Sequence, residues 1–137
     1  MGRADRGGGG PRRGDLVKAV ILDAGVFIAL DNPSKRRVVL ALVRQMHADG
    51  VVPATNDAAL AQAWREPAKQ VPLAMLVKSV NVYPFGDPRV IGRRCARTST
   101  SDVIDASLAV LADQLGVKVL TTDAADMHRL GADAAEL

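Results

Sequence analysis

Residues 102–123 read DVIDASLAVLADQLGVKVLTTD. Gly116 divides the stretch into a helix from Asp102 to Leu115 and a strand over residues 117–121. From Asp105 the helix travels roughly 16 Å at 1.5 Å per residue. The strand returns about the same distance at about 3.3 Å per residue. Asp123 should therefore come back level with Asp105. Asp102 lies one helical turn before Asp105 on the same face, and Asp126 bears the same relation to Asp123.

Outward from this unit the chain shows the same grammar. Ala19-Val20-Ile21-Leu22 is an apolar run that ends at Asp23. Asp23 and Asp123 thus read as carboxylates at the C-terminal ends of buried parallel strands, the edge where ligands and chemistry collect in open α/β sheets. Asp23, Asp105 and Asp123 converging there would resist joint ionisation without a counter-charge. A hard divalent cation is the simplest remedy. A structural reading competes at each position, because an acid in the first turn of a helix is stabilised by the helix dipole without any function. That accounts for Asp102 and Asp126 as caps. It accounts less well for Asp23 and Asp123, which close strands.

The remaining elements alternate. Strands are expected over 16–22, 51–54, 80–83 and 117–121. Helices are expected over 24–30, 34–48, 57–65, a segment ending near Lys78, 88–97, 102–115 and 124–130. The second has Val38, Val39, Leu42, Val43 and Met46 at helical spacing. Asn32-Pro33-Ser34 is a turn and cap signal, and Asn56 or Asp57 can cap the third helix. Ser101 reads as the cap of the helix that carries Asp105. Alternation of this kind predicts an α/β fold with a parallel central sheet flanked by helices.

Composition fits one domain. The chain has 137 residues, of which 48% are hydrophobic but only 3% aromatic, so Ala, Val and Leu must build the core. Few aromatics argue against base-stacking platforms. Residues 1–15 (MGRADRGGGGPRRGD) carry +2 of the net charge of +3 and have no apolar periodicity. They read as a disordered tail preceding a domain over 16–137. The basic balance of the whole chain is thus weak evidence for a nucleic-acid partner. The single Cys95 excludes an internal disulfide and a Cys-based zinc site. Lys18 and Asp23 interrupt the only early apolar stretch, so no secretory signal or membrane span is expected, and a cytoplasmic location is.

The chain resembles the PIN-domain family, the nuclease fold of VapC-like toxins, over about residues 17–131. Four segments carry the resemblance in order: Val20-Ile21-Leu22-Asp23-Ala24-Gly25, Val52-Pro53-Ala54 leading to Leu60-Ala61-Gln62-Ala63-Trp64-Arg65, Ser101-Asp102-Val103-Ile104-Asp105-Ala106, and Leu120-Thr121-Thr122-Asp123. The resemblance implies a PIN-like three-layer sandwich with a central parallel sheet of four to five short strands. It implies a Mg²⁺- or Mn²⁺-dependent endoribonuclease that cleaves RNA with a metal-activated water, leaving a 5′-phosphate and a 3′-hydroxyl. Its acidic quartet falls on Asp23, position 62, Asp105 and Asp123, and position 62 here is Gln where the pattern usually has Glu.

A neutral amide accepts one contact through its carbonyl but supplies no charge. A branch of PIN-like proteins resembles this chain in having Gln before Ala/Val-Trp-Arg. Asp102 restores the charge count as a further candidate ligand, and Glu66, one turn from Gln62, is a second compensator.

Around these ligands, Thr121 or Thr122 is placed to hydrogen-bond an aspartate or a phosphate oxygen. Arg65, beside Gln62, is the leading candidate to meet the RNA backbone, ahead of Arg36, Arg37, Lys69, Arg93, Arg94 and Arg97. His47 and His128 lie outside the acidic motifs and read as surface residues. The resemblance further implies a cognate antitoxin protein and a homodimer, with Val38–Met46 and Val71–Val77 as candidate contact surface. An alternative is a catalytically weakened PIN-fold module that binds RNA or protein, motivated by Gln62. A phosphate-acceptor role for Asp23 is disfavoured, because Asp23-Ala24-Gly25 lacks a second acid two residues on.

Overall fold

Short runs of Val, Ile, Leu and Thr pair side by side at the centre of the computed structural model, which describes residues 18–65 and 70–137. The expected tail at 1–15 lies outside the described residues, as do Glu66 and Lys69. Strand β1 (Ala19–Leu22) pairs in parallel with β2 (Val52–Asn56) on one side and with β4 (Lys118–Thr121) on the other. Outside these lie β3 (Asn81–Tyr83) and β5 (Ala134–Glu136). The five-stranded sheet has the order β3-β2-β1-β4-β5 and every pair is parallel.

The helices are α1 (Ala24–Ile28), α2 (Pro33–Ala48), α3 (Asp57–Ala63), α4 (Val71–Val77), α5 (Pro88–Thr98), α6 (Val103–Leu115) and α7 (Ala124–Arg129). The period-two alternation of the strands sorts them into layers. Ile21 and Val119 point into a core shared with Ile91 of α5, Leu108 and Leu111 of α6 and Met127 of α7. Leu22, with Val20 and Leu120 partly buried beside it, points into a second core with Phe27, Val39, Val43, Leu60, Leu73 and Leu76. A parallel sheet covered on both faces needs apolar residues on both sides of each central strand, which Val20-Ile21-Leu22 and Val119-Leu120 supply. The result is the PIN-like three-layer sandwich.

Several element ends differ from the sequence expectation. After α1 the chain tightens into a 3₁₀ turn over Ala29–Asp31, so the first helix stops before Leu30. Asn32 then starts α2 by accepting the N–H groups of Ser34 and Lys35, each at 3.1 Å, with Pro33 in the first helical position. Helix α3 ends at Ala63 rather than Arg65 because buried Gln70 takes over the backbone there: its Nε2 donates to the Ala63 carbonyl (2.9 Å) and its Oε1 accepts from Arg65 N–H (2.7 Å). The cap of α6 is Asp102, not Ser101, since the Asp102 carboxylate accepts Asp105 N–H at 2.9 Å. The fourth expected helix, ending near Lys78, is present as α4, with Lys78 as its C-cap.

Strand β5 follows the last expected helix. Its Ala-Ala-Glu sequence has no strand preference of its own. It forms because β4 leaves an open edge, which it fills: Val119 N–H donates to Asp133 O and Leu137 N–H to Thr121 O, both at 2.8 Å.

The end of β2 is locked by two buried polar side chains. Thr55 Oγ1 donates to the Leu22 carbonyl at 2.8 Å, which fastens the C-terminal end of β1. Asn56, fully buried, accepts Ala59 N–H at 2.9 Å to cap α3 and donates to Ser107 Oγ of α6 at 2.8 Å. Replacing Asn56 with Ala removes a cap and a buried side-chain bond together. The expected loss is about 2 kcal/mol of unfolding free energy, read from urea denaturation. A loss within error of zero would refute this role.

Candidate active site

Strand order places the crevice. From β1 the chain crosses to β2 and β3 on one side and later to β4 and β5 on the other, so the direction of winding reverses between β1 and β4. In such sheets the helices leaving the two central strands diverge, and a crevice opens outside their C-terminal ends. Asp23 follows β1 directly, and Asp123 follows β4 by one residue, Thr122. Helix α6 runs back antiparallel to β4, which brings its first turn, with Asp105, to the same edge.

Asp23 is the buried member of the set, 6% exposed. One carboxylate oxygen accepts Val26 N–H at 3.1 Å and so caps α1. The other accepts the hydroxyl of Thr121 in a short hydrogen bond. Burial raises the pKa of Asp23 above the usual carboxylate value, against the opposing pull of Thr121 Oγ1 and then of the Val26 N–H. Thr121 is itself buried, and its hydroxyl oxygen accepts Asp123 N–H at 2.9 Å. One hydroxyl therefore ties the Asp23 side chain to the backbone of Asp123.

Asp105 sits half-buried in the first turn of α6. Its pKa is pushed up to about 7, first by burial, then by the charge of Asp102 and a hydrogen bond with it, then by the charges of Asp23 and Asp123. The last two causes show that the three expected acids share one electrostatic neighbourhood. They do not form a closed cage: among the described residues no three His, Cys, Asp or Glu side chains are gathered closely enough to hold one ion together.

The donor chemistry fits a hard divalent ion nonetheless. Every candidate ligand is a carboxylate oxygen, and Mg²⁺ is usually held by one or two carboxylates while it keeps several waters. The pKa of Asp105 is raised first by burial and then by its acidic neighbours, and a bound cation would oppose both effects.

Other expected residues fall on either side of this edge. Asp102 is exposed and caps α6, yet its charge also has the largest effect on Asp105 among the neighbouring acids. Asp126 pairs with Arg129 within α7, which supports its structural reading. Gln62 is exposed on α3 and takes no part in the Asp23–Thr121–Asp123 hydrogen bonds. Arg65 is exposed. Arg36 and Arg94 are committed to structure: Arg36 Nε donates to Leu30 O and Arg94 Nη1 to Leu130 O, both at 2.8 Å, and Arg94 also pairs with Asp113. His47 and His128 are exposed surface residues, as expected.

Two residues at the edge gain a role only in the fold. Glu136, at the end of β5, accepts Ala124 N–H at 3.1 Å and so brings a further carboxylate to the N-terminus of α7. Its approach depends on β5, which carries no strand signal. Gly25 is the second. A Cβ there would collide with Thr122 Oγ1 and stand 3.3 Å from Asp23 Oδ1, so a larger residue would force the Thr122 side chain to move where α1 starts beside the end of β4.

No protein-family model matches the chain, and no curated protein matches it. Solved structures do. A chain of VapBC2 from Rickettsia felis, crystallised bound to a DNA fragment from their promoter, superposes with a TM-score of 0.69 at 11% identity, covering 86% of this chain and 98% of that one. PAE2754 from Pyrobaculum aerophilum gives 0.60 at 18% identity, covering 87% and 90%. VapC20 from Mycobacterium tuberculosis, a sarcin-ricin loop cleaving toxin, gives 0.56 at 16% identity, covering 82% and 95%. At such identities the likeness is one of fold, and the chain has the VapC-like PIN fold.

The raised pKa of Asp105 fixes the sign of a pH effect. In the unfolded chain this group releases its proton near its ordinary value of 3.8, and in the fold near 7. Between these limits the folded state holds a proton that the unfolded state has lost, so metal-free stability should fall as pH rises through that window. Asp23 shifts in the same direction. Thermal melts in EDTA should show Asp105→Asn gaining on the wild type from about pH 4 to about pH 7 and holding a constant lead above. Parallel melting curves at every pH would refute the shift.

Proposed function

We propose that this chain is a metal-dependent endoribonuclease of the VapC-like toxin type. The observation that carries the reading is the placement of Asp23, Asp105 and Asp123 at one edge of a VapC-like PIN sheet, by its reversal point, with Asp105 within range of the charges of the other two. One or two of Asp23, Asp105 and Asp123 would hold Mg²⁺ or Mn²⁺ directly and the rest through waters that the ion keeps, with Asp102 as a further ligand candidate. When bound, such an ion supplies Lewis acidity toward a phosphate oxygen and lowers the pKa of a coordinated water.

The chain's own residues do the positioning. Thr121 fixes the Asp23 carboxylate and, through the same oxygen, the start of the segment bearing Asp123. The cap bond from Val26 holds the other Asp23 oxygen, so its rotamer is set from two sides. Asp102, one turn before Asp105, adds to the effect of burial in raising the Asp105 pKa. Cleavage needs no histidine, and the exposed His47 and His128 lie on the surfaces of α2 and α7.

The partner readings follow the same line. An RNA substrate, a cognate antitoxin protein and a homodimer are proposed, in the cytoplasm. No helix of the described residues is long and apolar enough to cross a membrane. An apolar groove between α2 and α4, lined by Leu40, Val43, Val71, Pro72, Met75 and Leu76, is open to a protein partner. Val71 and Met75 are each 60% exposed beside it.

Gln62 favours a second reading, in which the fold binds RNA or protein with weakened catalysis. Its exposed amide carries no charge to a metal.

Cleavage of structured RNA should require Mg²⁺ or Mn²⁺ and stop in EDTA. Asp23→Asn and Asp105→Asn should each lower the rate by roughly 100-fold or more. Undiminished cleavage by both variants would remove the proposal. Calorimetric titration with Mn²⁺ separates the two readings: heat and thermal stabilisation support a nuclease, and neither supports the binding module. Gln62→Glu should tighten Mn²⁺ binding, and no change would place residue 62 outside the metal's reach.

A further inference from the structure

Helix α5 reads PRVIGRRCART, with four arginines and no acid. Arg89, Arg93 and Arg97 recur every fourth residue and so form one row on the helix surface, successive charges rising by about 6 Å along the axis. All three are exposed, whereas Arg94 turns inward to Leu130 and Asp113. Arg89 shares an exposed ion pair with Asp87, an interaction of little strength in water. Among the described residues, Arg93 and Arg97 have no carboxylate within ion-pair distance. Like charges four residues apart destabilise a helix, so nothing internal to α5 accounts for the row.

The surface between these arginines is low. Gly92 and Ala96 are exposed beside them, and a Cβ built on Gly92 meets nothing within 4 Å. Packing therefore does not explain a glycine that weakens the middle of this helix. Beside the row, Val90, Ala96 and the stems of Arg93, Arg94 and Arg97 line a hollow toward the C-terminal end of the helix. The helix also points the right way. Its C-terminal end, with Arg97, turns through Ser99 in a left-handed conformation and the loop to Asp102, directly into the first turn of α6 and Asp105.

We infer that the outer face of α5, through Arg93 and Arg97 with Arg89, is a track for the phosphate backbone of single-stranded RNA leading to the carboxylate edge. The inference rests on the nuclease reading for its choice of ligand. Arginines on a smooth helix face meet phosphates without reading bases, so the track positions a strand and does not select its sequence. It supplies the positive charge that the acidic edge, which repels a polyanion, lacks.

The test is fluorescence anisotropy of a labelled single-stranded RNA with the full chain in EDTA, where no cleavage occurs. Arg93→Ala/Arg97→Ala should weaken binding roughly tenfold at low salt and lower the slope of log affinity against log salt by about 1.4, the share of two backbone contacts on a single strand. Arg93→Lys/Arg97→Lys should keep most of the affinity. The control Lys35→Ala/Arg44→Ala makes the same change of net charge at exposed positions on α2, in the opposite layer, and should shift affinity less than twofold. Equal losses in the two alanine pairs, an unchanged slope, or no RNA binding by the wild type would overturn the track. Melting curves matching the wild type show that each variant folds. Metal-dependent cleavage that needs Asp105, alongside α5 variants that bind normally, sinks the track alone. Binding that depends on α5, with no metal-dependent cleavage, sinks the nuclease reading alone.

Discussion

The parallel pairing of β1 with β4 carries the rest of the structure. Val20 stands opposite Lys118, Ile21 opposite Val119 and Leu22 opposite Leu120, so β4 runs one residue past the end of β1. Asp23 N–H continues the ladder by donating to Leu120 O at 3.1 Å. That register brings Thr121 beside Asp23 and lets one hydroxyl serve both sides of the crevice. A slip of one residue would turn Ile21 and Val119 out of one core and Leu22 out of the other, and would undo both layers at once. The apolar alternation that builds the core is therefore also what aligns the acids.

The site is held against its own electrostatics. Burial of Asp23 and the crowding of acids around Asp105 both favour protonated carboxyls, which oppose a dense negative site at neutral pH. Local hydrogen bonds offset part of this. Asp23, Asp102 and Asp123 each accept a backbone N–H at the start of a helix, of α1, α6 and α7 respectively. Those helix starts present partial positive charge to the same edge. The capping reading and the functional reading of these aspartates are thus compatible: the bonds that start the helices also orient the carboxylates.

Much of this was written locally. Each strand of the inner three is a short apolar or β-branched run, and Asn32, Gly50 and Gly116 mark helix boundaries where the fold has them. The alternation of elements fixed a parallel sheet, and the spacing from Asp105 to Asp123 fixed their return to one level. The errors lie where tertiary contact overrides local preference. Gln70 draws the chain out of helix after Ala63 because its buried amide satisfies the backbone there. Ala134–Glu136 becomes a strand because an open sheet edge supplies partners. Arg94 resembles its neighbours in sequence, yet only packing of α5 on α6 and α7 turns it inward.

By itself the sequence determined which residues could carry charge to a sheet edge, since Asp23, Asp105 and Asp123 follow or begin elements whose period is visible in the chain. It determined the fold class for the same reason: hydrophobic period is a local property. Only the tertiary structure decided which carboxylate is buried, which hydroxyl holds it, that a Cβ on residue 25 would meet Thr122, and that Glu136 reaches the N-terminus of α7. Those outcomes depend on distances between segments far apart in the chain, set by strand register and by close packing, and neither is encoded in any single stretch of residues.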